Sequence, residues 1–160
     1  MANTIKMKGF FGRKQSFNVT SATITTGWVA GQLFRLDSPT SQPSYQDEYV
    51  ELQSTPGGNI MGVALENSTD ATSPVYGMSQ PSSSKCTLLH GHSKFEIVNG
   101  ASGACYESGV ASAYVMDSLF CSVNGKFTVL SGSSAAHPVG FITKVPKAGN
   151  SYTLGVVLFG

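Results

Sequence analysis

Charge is what this sequence has least of. Asp, Glu, Lys and Arg make up 12% of its 160 residues, about half the usual share. A surface so poor in charge repels its own copies weakly, which suits a subunit that lives in an assembly. Cysteine is scarce too: Cys86, Cys105 and Cys121 are three, with no C-x-x-C spacing. An odd count argues against a secreted disulfide framework, and the expected state of each is a small buried side chain. Long apolar runs are missing. There is no run of about 18 apolar residues to cross a membrane. No apolar stretch of about 7–15 residues follows the charged start, as a secretory leader would need. The expectation is a soluble chain made in the cytoplasm, in which the sequons at Asn18 and Asn67 carry no weight. Helical periodicity is also lacking: no run of about twelve or more residues keeps a clean 3.6 period.

What is present reads as β structure. Apolar residues are 41% of the chain, enough for a core, and 18 Gly with abundant Ser and Thr supply turns and polar surface. The length predicts one domain that buries ~70% of its extended-chain surface. The last forty residues are the clearest. Leu119–Val123 and Lys126–Leu130 flank Asn124-Gly125, a hairpin signal because a type I′ turn needs positive φ at both central residues. Val139–Val145 and Tyr152–Phe159 form a second strand pair around a Pro146–Asn150 loop. An earlier stretch echoes this block: Gly31–Leu36 leads to Ile60–Leu65 much as Ser118–Val123 leads to Pro138–Thr143. The echo predicts a small β-barrel or sandwich of two similar halves.

Further strands are expected at Phe17–Thr25, Gln32–Leu36, Tyr49–Gln53, Asn59–Glu66, Cys86–His90 and Lys94–Val98. Loops are expected at 37–45, 55–59, 67–73 and 79–84, and a turn at 99–103. Ala111–Asp117 fits either a short helix or a strand. Trp28, the one tryptophan, is expected as a core plug.

Charge is unevenly placed. The first 36 residues hold Lys6, Lys8, Arg13, Lys14 and Arg35 and no acid, while all nine acids and the other five basic residues follow. Ile5, Met7, Phe10, Phe11 and Phe17 lie in the same basic stretch. Two readings stand: an ordinary first strand with a solvated basic face, or an arm, residues 1–16, that adds a strand to a neighbouring subunit. The body would then be residues 17–160.

Catalytic chemistry is thinly represented. His90 and His92, two apart, share a face if they lie on one strand. They become a metal site only with a third ligand, for which Glu96 and His137 are the candidates; a polar strand or turn is the plainer reading, and no metal or cofactor is expected. Cys86 near His90 lacks any nucleophile signature. Asp47, Glu48 and Glu51 form an acidic cluster that reads as solvated loop. No G-x-S-x-G, H-E-x-x-H or P-loop occurs. A net charge of +1 is a poor footprint for nucleic acid.

Five blocks carry a resemblance: TGWVAGQLFRLD (Thr26–Asp37), GVALE (Gly62–Glu66), LHGHSKFEI (Leu89–Ile97), SVNGKFT (Ser122–Thr128) and VGFITKVP (Val139–Pro146). Together, from about Phe17 to Leu158, the chain resembles head decoration (cement) proteins of tailed-phage virions. The resemblance implies an all-β barrel or β-tulip body on the outer capsid surface, with little helix. It implies a homotrimer whose N-terminal arm contacts the major capsid protein, with neither nucleic acid nor membrane as partner. The arm role falls on Ile5, Lys6, Lys8, Phe10, Phe11, Arg13 and Lys14. Adhesion rather than catalysis would be the mechanism. Two alternatives accompany it: a tail-tube or fibre-associated virion subunit, and a glycan-binding β-sandwich or enzyme that would depend on His90, His92 or the acidic cluster.

Overall fold

The computed structural model describes residues 3–36, 49–53, 60–68, 85–98, 105–130 and 136–159. Side-chain alternation sets its central strands. In Ser93–Val98, Ser93, Phe95 and Ile97 are buried while Lys94, Glu96 and Val98 are half-exposed. That is the period of a strand with one face in the core. The preceding Lys85–His90 is buried on both faces, because Cys86 and Leu88 serve one apolar cluster and Leu89 another.

In chain order the strands are β1 (Thr4–Met7), β2 (Arg13–Val19), β3 (Leu33–Leu36), β4 (Tyr49–Leu52), β5 (Gly62–Ala64), β6 (Lys85–His90), β7 (Ser93–Val98), β8 (Ser118–Cys121), β9 (Phe127–Thr128), β10 (Gly140–Lys144) and β11 (Leu154–Leu158). A single α-helix among the described residues, α1 (Ser21–Thr26), follows β2. Strands β2-β4-β3-β5-β6 close into a barrel, and β1-β7-β11-β10-β8-β9 form a six-stranded sheet. The fold is all-β, with a small barrel and an attached sheet, as the composition predicts.

The two halves repeat one another. The order β4-β3-β5-β6-β2 in the barrel matches β9-β8-β10-β11-β7 in the sheet, strand for strand in sequence. Every equivalent neighbouring pair is antiparallel. In the barrel, a parallel pair between β2 and β4 makes the closure. In the sheet its counterpart is a single parallel bridge from Tyr106, downstream of β7, to Phe127 on β9. A helical segment follows the first strand of each half: α1, and a 3-10 turn at Ser108–Ser112. Gly62 and Gly140, which open β5 and β10, are equivalent as well. A Cβ on either would strike a carbonyl of the next strand, Leu89 O or Val157 O. Only glycine permits that approach. The echo between Gly31–Leu65 and Ser118–Thr143 thus falls on equivalent strands of the two halves.

Two cores follow from this plan. Phe17, Val19, Trp28, Phe34, Val50, Ala64, Cys86 and Leu88 fill the barrel, where Trp28 meets Phe34 edge-on at 5.9 Å between ring centroids. The larger core lies between the barrel's outer wall and the sheet, joining Leu33, Val63 and Leu89 to Phe95, Ile97, Phe127, Ile142 and Val156. The burial of each such side chain contributes about 1.5–3 kcal/mol. The hairpin at Asn124-Gly125 locks the halves together. Gln32 Nε2 donates to Asn124 O at 2.7 Å, and Gly125 N–H donates to Gln53 O at 2.9 Å.

Local differences from the sequence reading have clear causes. Phe17–Thr25 is not one strand: β2 stops at Val19 and Ser21–Thr26 is helical. The β-branched run Thr23–Thr26 favours strand, but Thr20 caps the Thr23 N–H and Gly27, at φ 76°, terminates the helix. The hairpin forms with positive φ at Asn124 and Gly125, 60° and 69°, but its loop is the three residues Val123–Gly125, closed by Ser122 N–H to Lys126 O, and not the two-residue type I′ turn expected. Its strands are shorter than expected, pairing Phe120 with Thr128 and Cys121 with Phe127. Ala111–Asp117 is neither helix nor strand throughout: the 3-10 turn ends at Ser112 and a tight turn follows. The loops expected at 37–45, 55–59 and 79–84 and the turn at 99–103 lie outside the described residues.

Candidate interaction surface

The N-terminal basic stretch is built into the body. Antiparallel pairing joins Thr4 to Val98, Ile5 to Ile97, Lys6 to Glu96 and Met7 to Phe95. The connection to β2 is pinned in turn: Lys8 N–H donates to Lys94 O, Lys94 N–H to Phe10 O, and Gly12 N–H to Ser93 Oγ, all at 2.8–2.9 Å. Gly12 passes so close to the His90 carbonyl that a Cβ there would collide with it. Arg13 and Lys14 then pair with His90 and Leu89 in the barrel. A boundary at residue 16 therefore falls inside β2, and residues 4–7 and 13–16 lie in strands paired with this chain's own β7 and β6. Of the basic stretch, Ile5 does not face outward. It is 3% exposed and packs in the core between barrel and sheet.

The remaining residues face outward. Phe10 and Phe11 are 43% and 52% exposed. Phe10 stacks on His92, with ring centroids 4.7 Å apart and planes 11° from parallel. The Lys14 ammonium sits 4.8 Å over the Phe11 ring, a cation–π contact. Lys6, Lys8 and Arg13 are exposed.

Register adds residues that sequence alone does not associate with these. Residues directly opposite across antiparallel strands project on the same face. Lys6, Glu96, Gly155 and Lys144 form one row across β1, β7, β11 and β10, and Lys94, Val157 and Phe141 form a second. Phe10 and His92 begin a third. Phe159, one residue beyond the Leu158–Ser93 pair, extends it and meets Phe141 at 5.9 Å. Among the described residues, this outer face of the sheet carries Lys6, Lys8, Lys94 and Lys144 against one carboxylate, Glu96. That carboxylate is held by Lys144 at 2.7 Å and Lys8 at 3.7 Å. No signal in the sequence linked Lys94, Lys144, Phe141 or Phe159 to the basic stretch, because only strand order brings them together.

The chemical candidates do not assemble. His90 ends β6 and His92 lies in the turn beyond Gly91, which has φ 87°. Their rings diverge: His90 meets Phe17 edge-on at 6.1 Å and approaches Gln15 at 3.3 Å, while His92 lies on Phe10. Glu96 faces the two lysines instead. Among the described residues no group of three or more His, Cys, Asp or Glu is placed to hold a metal. Cys86 is fully buried in the barrel, and burial, with the nearby Glu66, pushes its thiol well above the ordinary range. It is therefore a packed thiol rather than a thiolate. Glu51 is held by Arg35, whose Nε and Nη2 lie 2.8 and 2.6 Å from Oε1. Asp47 and Glu48 lie outside the described residues. No protein-family model matches this chain, and no curated protein matches it.

Proposed function

We propose that this chain is a structural virion subunit, a capsid decoration (cement) protein on the outer surface of a tailed-phage head. In this reading it adheres to the major capsid protein, as a homotrimer, and strengthens junctions between capsomers. The observation that supports it most is the Lys8–Lys14 segment. Its backbone is fixed between sheet and barrel while Phe10 and Phe11 stand exposed among cations. Rigid aromatic anchors ringed by charge are what a specific protein interface uses. The low charge of the chain and its resemblance to cement proteins point the same way.

The mechanism is adhesion. Each copy would bury apolar area across a capsomer junction and raise the free energy of separating the capsomers. Specific interfaces of this kind exceed about 1,000 Å². Light scattering of the purified protein with and without empty heads, followed by electron microscopy of the particles, tests the role. Head binding as a trimer, or by monomers that trimerise there, supports it. Rings or tubes without head binding would move the subunit to the tail.

A further inference from the structure

We infer that the outer face of the six-stranded sheet is a docking surface for an acidic protein partner, one that presents carboxylates around an apolar centre. Two independent features of the face select that chemistry. The first is unbalanced charge. Lys8 and Lys144 are engaged by Glu96, whereas Lys6 and Lys94 make no ion pair among the described residues. The stretches that form this end of the sheet, 3–12, 91–95, 136–142 and 154–159, contain no Asp or Glu. The second feature is an apolar patch beside that charge: Phe10 on His92, with Phe159, lies in the row next to Lys94, and Phe141, in Lys94's own row, meets Phe159.

The same features disfavour a nucleic acid. A base-stacking platform needs an open ring face, and one face of Phe10 is already covered by His92. A phosphate backbone would also meet the Glu96 carboxylate in the middle of the lysines. A protein surface can place its carboxylates at Lys6 and Lys94 and its apolar side chains on the rings. Recognition would then divide in the usual way, with aromatic burial giving lifetime and the lysines giving encounter rate and salt dependence.

The inference deepens the cement reading by naming the surface and the partner's chemistry. It rests on that reading only for the partner's identity. The test therefore has two parts. In the first, the intact protein is titrated with poly-L-glutamate and, separately, with a single-stranded oligothymidylate at low salt. The expected result is binding to poly-L-glutamate that falls about tenfold in the Lys6→Gln/Lys94→Gln double variant and is unchanged in Lys85→Gln, on the barrel. Neutral glutamine avoids a like charge opposite Glu96, and unfolding curves confirm that each variant folds. No binding by the wild-type chain, equal loss in Lys85→Gln, or tighter binding of the oligothymidylate through the same lysines would overturn the inference. In the second part, the same variants and Phe10→Ala/Phe159→Ala are sedimented with heads. Poly-L-glutamate binding through Lys6 and Lys94 without head binding leaves the surface standing and removes the capsid role. Head binding that none of these substitutions weakens keeps the capsid role and removes this surface.

Discussion

Lys144 reaches Glu96 across an intervening strand. Their strands, β10 and β7, are not neighbours; β11 runs between them, and Gly155 opposes both residues. The ammonium nevertheless lies 2.7 Å from Glu96 Oε1. The absence of a side chain at Gly155 opens the path, since a Cβ there would collide with Thr143 Oγ1 and press on the Lys144 backbone and Cβ. A bulge between Ile142 and Lys144 completes the adjustment. Gly155→Val should therefore cost about 1–3 kcal/mol through overpacking and separate the pair, which denaturant unfolding would register as a lower midpoint.

The same ion group predicts acid sensitivity. Burial pushes the Glu96 carboxyl up, but the hydrogen bond and charge of Lys144, with those of Lys8, outweigh it and hold the carboxyl below its ordinary value of 4.5. A group depressed in the folded state contributes stability above its unfolded pKa and loses it as pH falls through the folded value. Stability should decline below about pH 4.5 on this account, and Glu96→Gln should flatten that limb. The lysines are partly exposed, so the effect should be modest and should shrink with salt. An acid limb identical in Glu96→Gln would refute the assignment.

Glu66 has the opposite sign. The residue is 3% exposed; Oε1 accepts from Thr87 N–H at 2.6 Å, and Oε2 has no hydrogen-bond partner among the described residues. Burial raises its pKa, and the Thr87 hydrogen bond offsets only part of that. A raised carboxyl contributes stability that is complete below the unfolded pKa and is lost as pH rises through the folded one. Unfolding free energy measured from acid to neutral pH should fall over that window. Glu66→Gln, which keeps the acceptor and removes the charge, should erase the fall. An unchanged pH profile in that variant would place the titrating group elsewhere.

What the sequence revealed was local. Asn124-Gly125 fixes its hairpin through backbone φ alone, and the alternation in Ser93–Val98 needs no partner to be read. The echoing blocks were visible, but their shared strand order was not, because pairings such as Leu33 with Val63 and Leu119 with Gly140 are tertiary. α1 was hidden by its own β-branched residues, although Thr20 and Gly27 marked its ends. Phe10, Lys6 and Lys8 stood out as a basic aromatic stretch. That they share a face with Lys94 and Phe159 depends on register parity between distant strands, and a shift of one residue would reverse it.

Met116 stores strain at an exposed tip. Its φ is 78°, in the left-handed region, and the Tyr114–Asp117 turn around it is tightly held. Asp117 N–H donates to Tyr114 O at 3.1 Å, the Asp117 carboxylate accepts from Tyr114 N–H at 2.9 Å, and Met116 N–H donates to Ile142 O at 2.8 Å. Tyr114 and Met116 are 76% and 68% exposed, so packing does not compensate. The left-handed conformation costs a residue with a Cβ about 1–2 kcal/mol. Met116→Gly should raise the unfolding temperature by a few degrees, whereas Met116→Val, β-branched, should lower it. Equal temperatures in the two variants would show that the turn relaxes in solution.

Ile5 separates an arm from a strand. A residue on a free arm contributes nothing to the fold until the arm docks, so its truncation would leave the unfolding of the isolated chain unchanged. In the structure Ile5 pairs with Ile97 and is buried among Leu33, Val63 and Phe95 in the larger core. Ile5→Ala should therefore cost about 2–5 kcal/mol in the isolated protein, while Phe10→Ala and Phe11→Ala, at exposed sites, should each stay within about 0.5 kcal/mol. Thermal and urea unfolding of the three variants measures the contrast directly. If Ile5→Ala unfolds like the wild type, β1 is not docked on β7 in solution, and residues 1–16 act as a detachable arm.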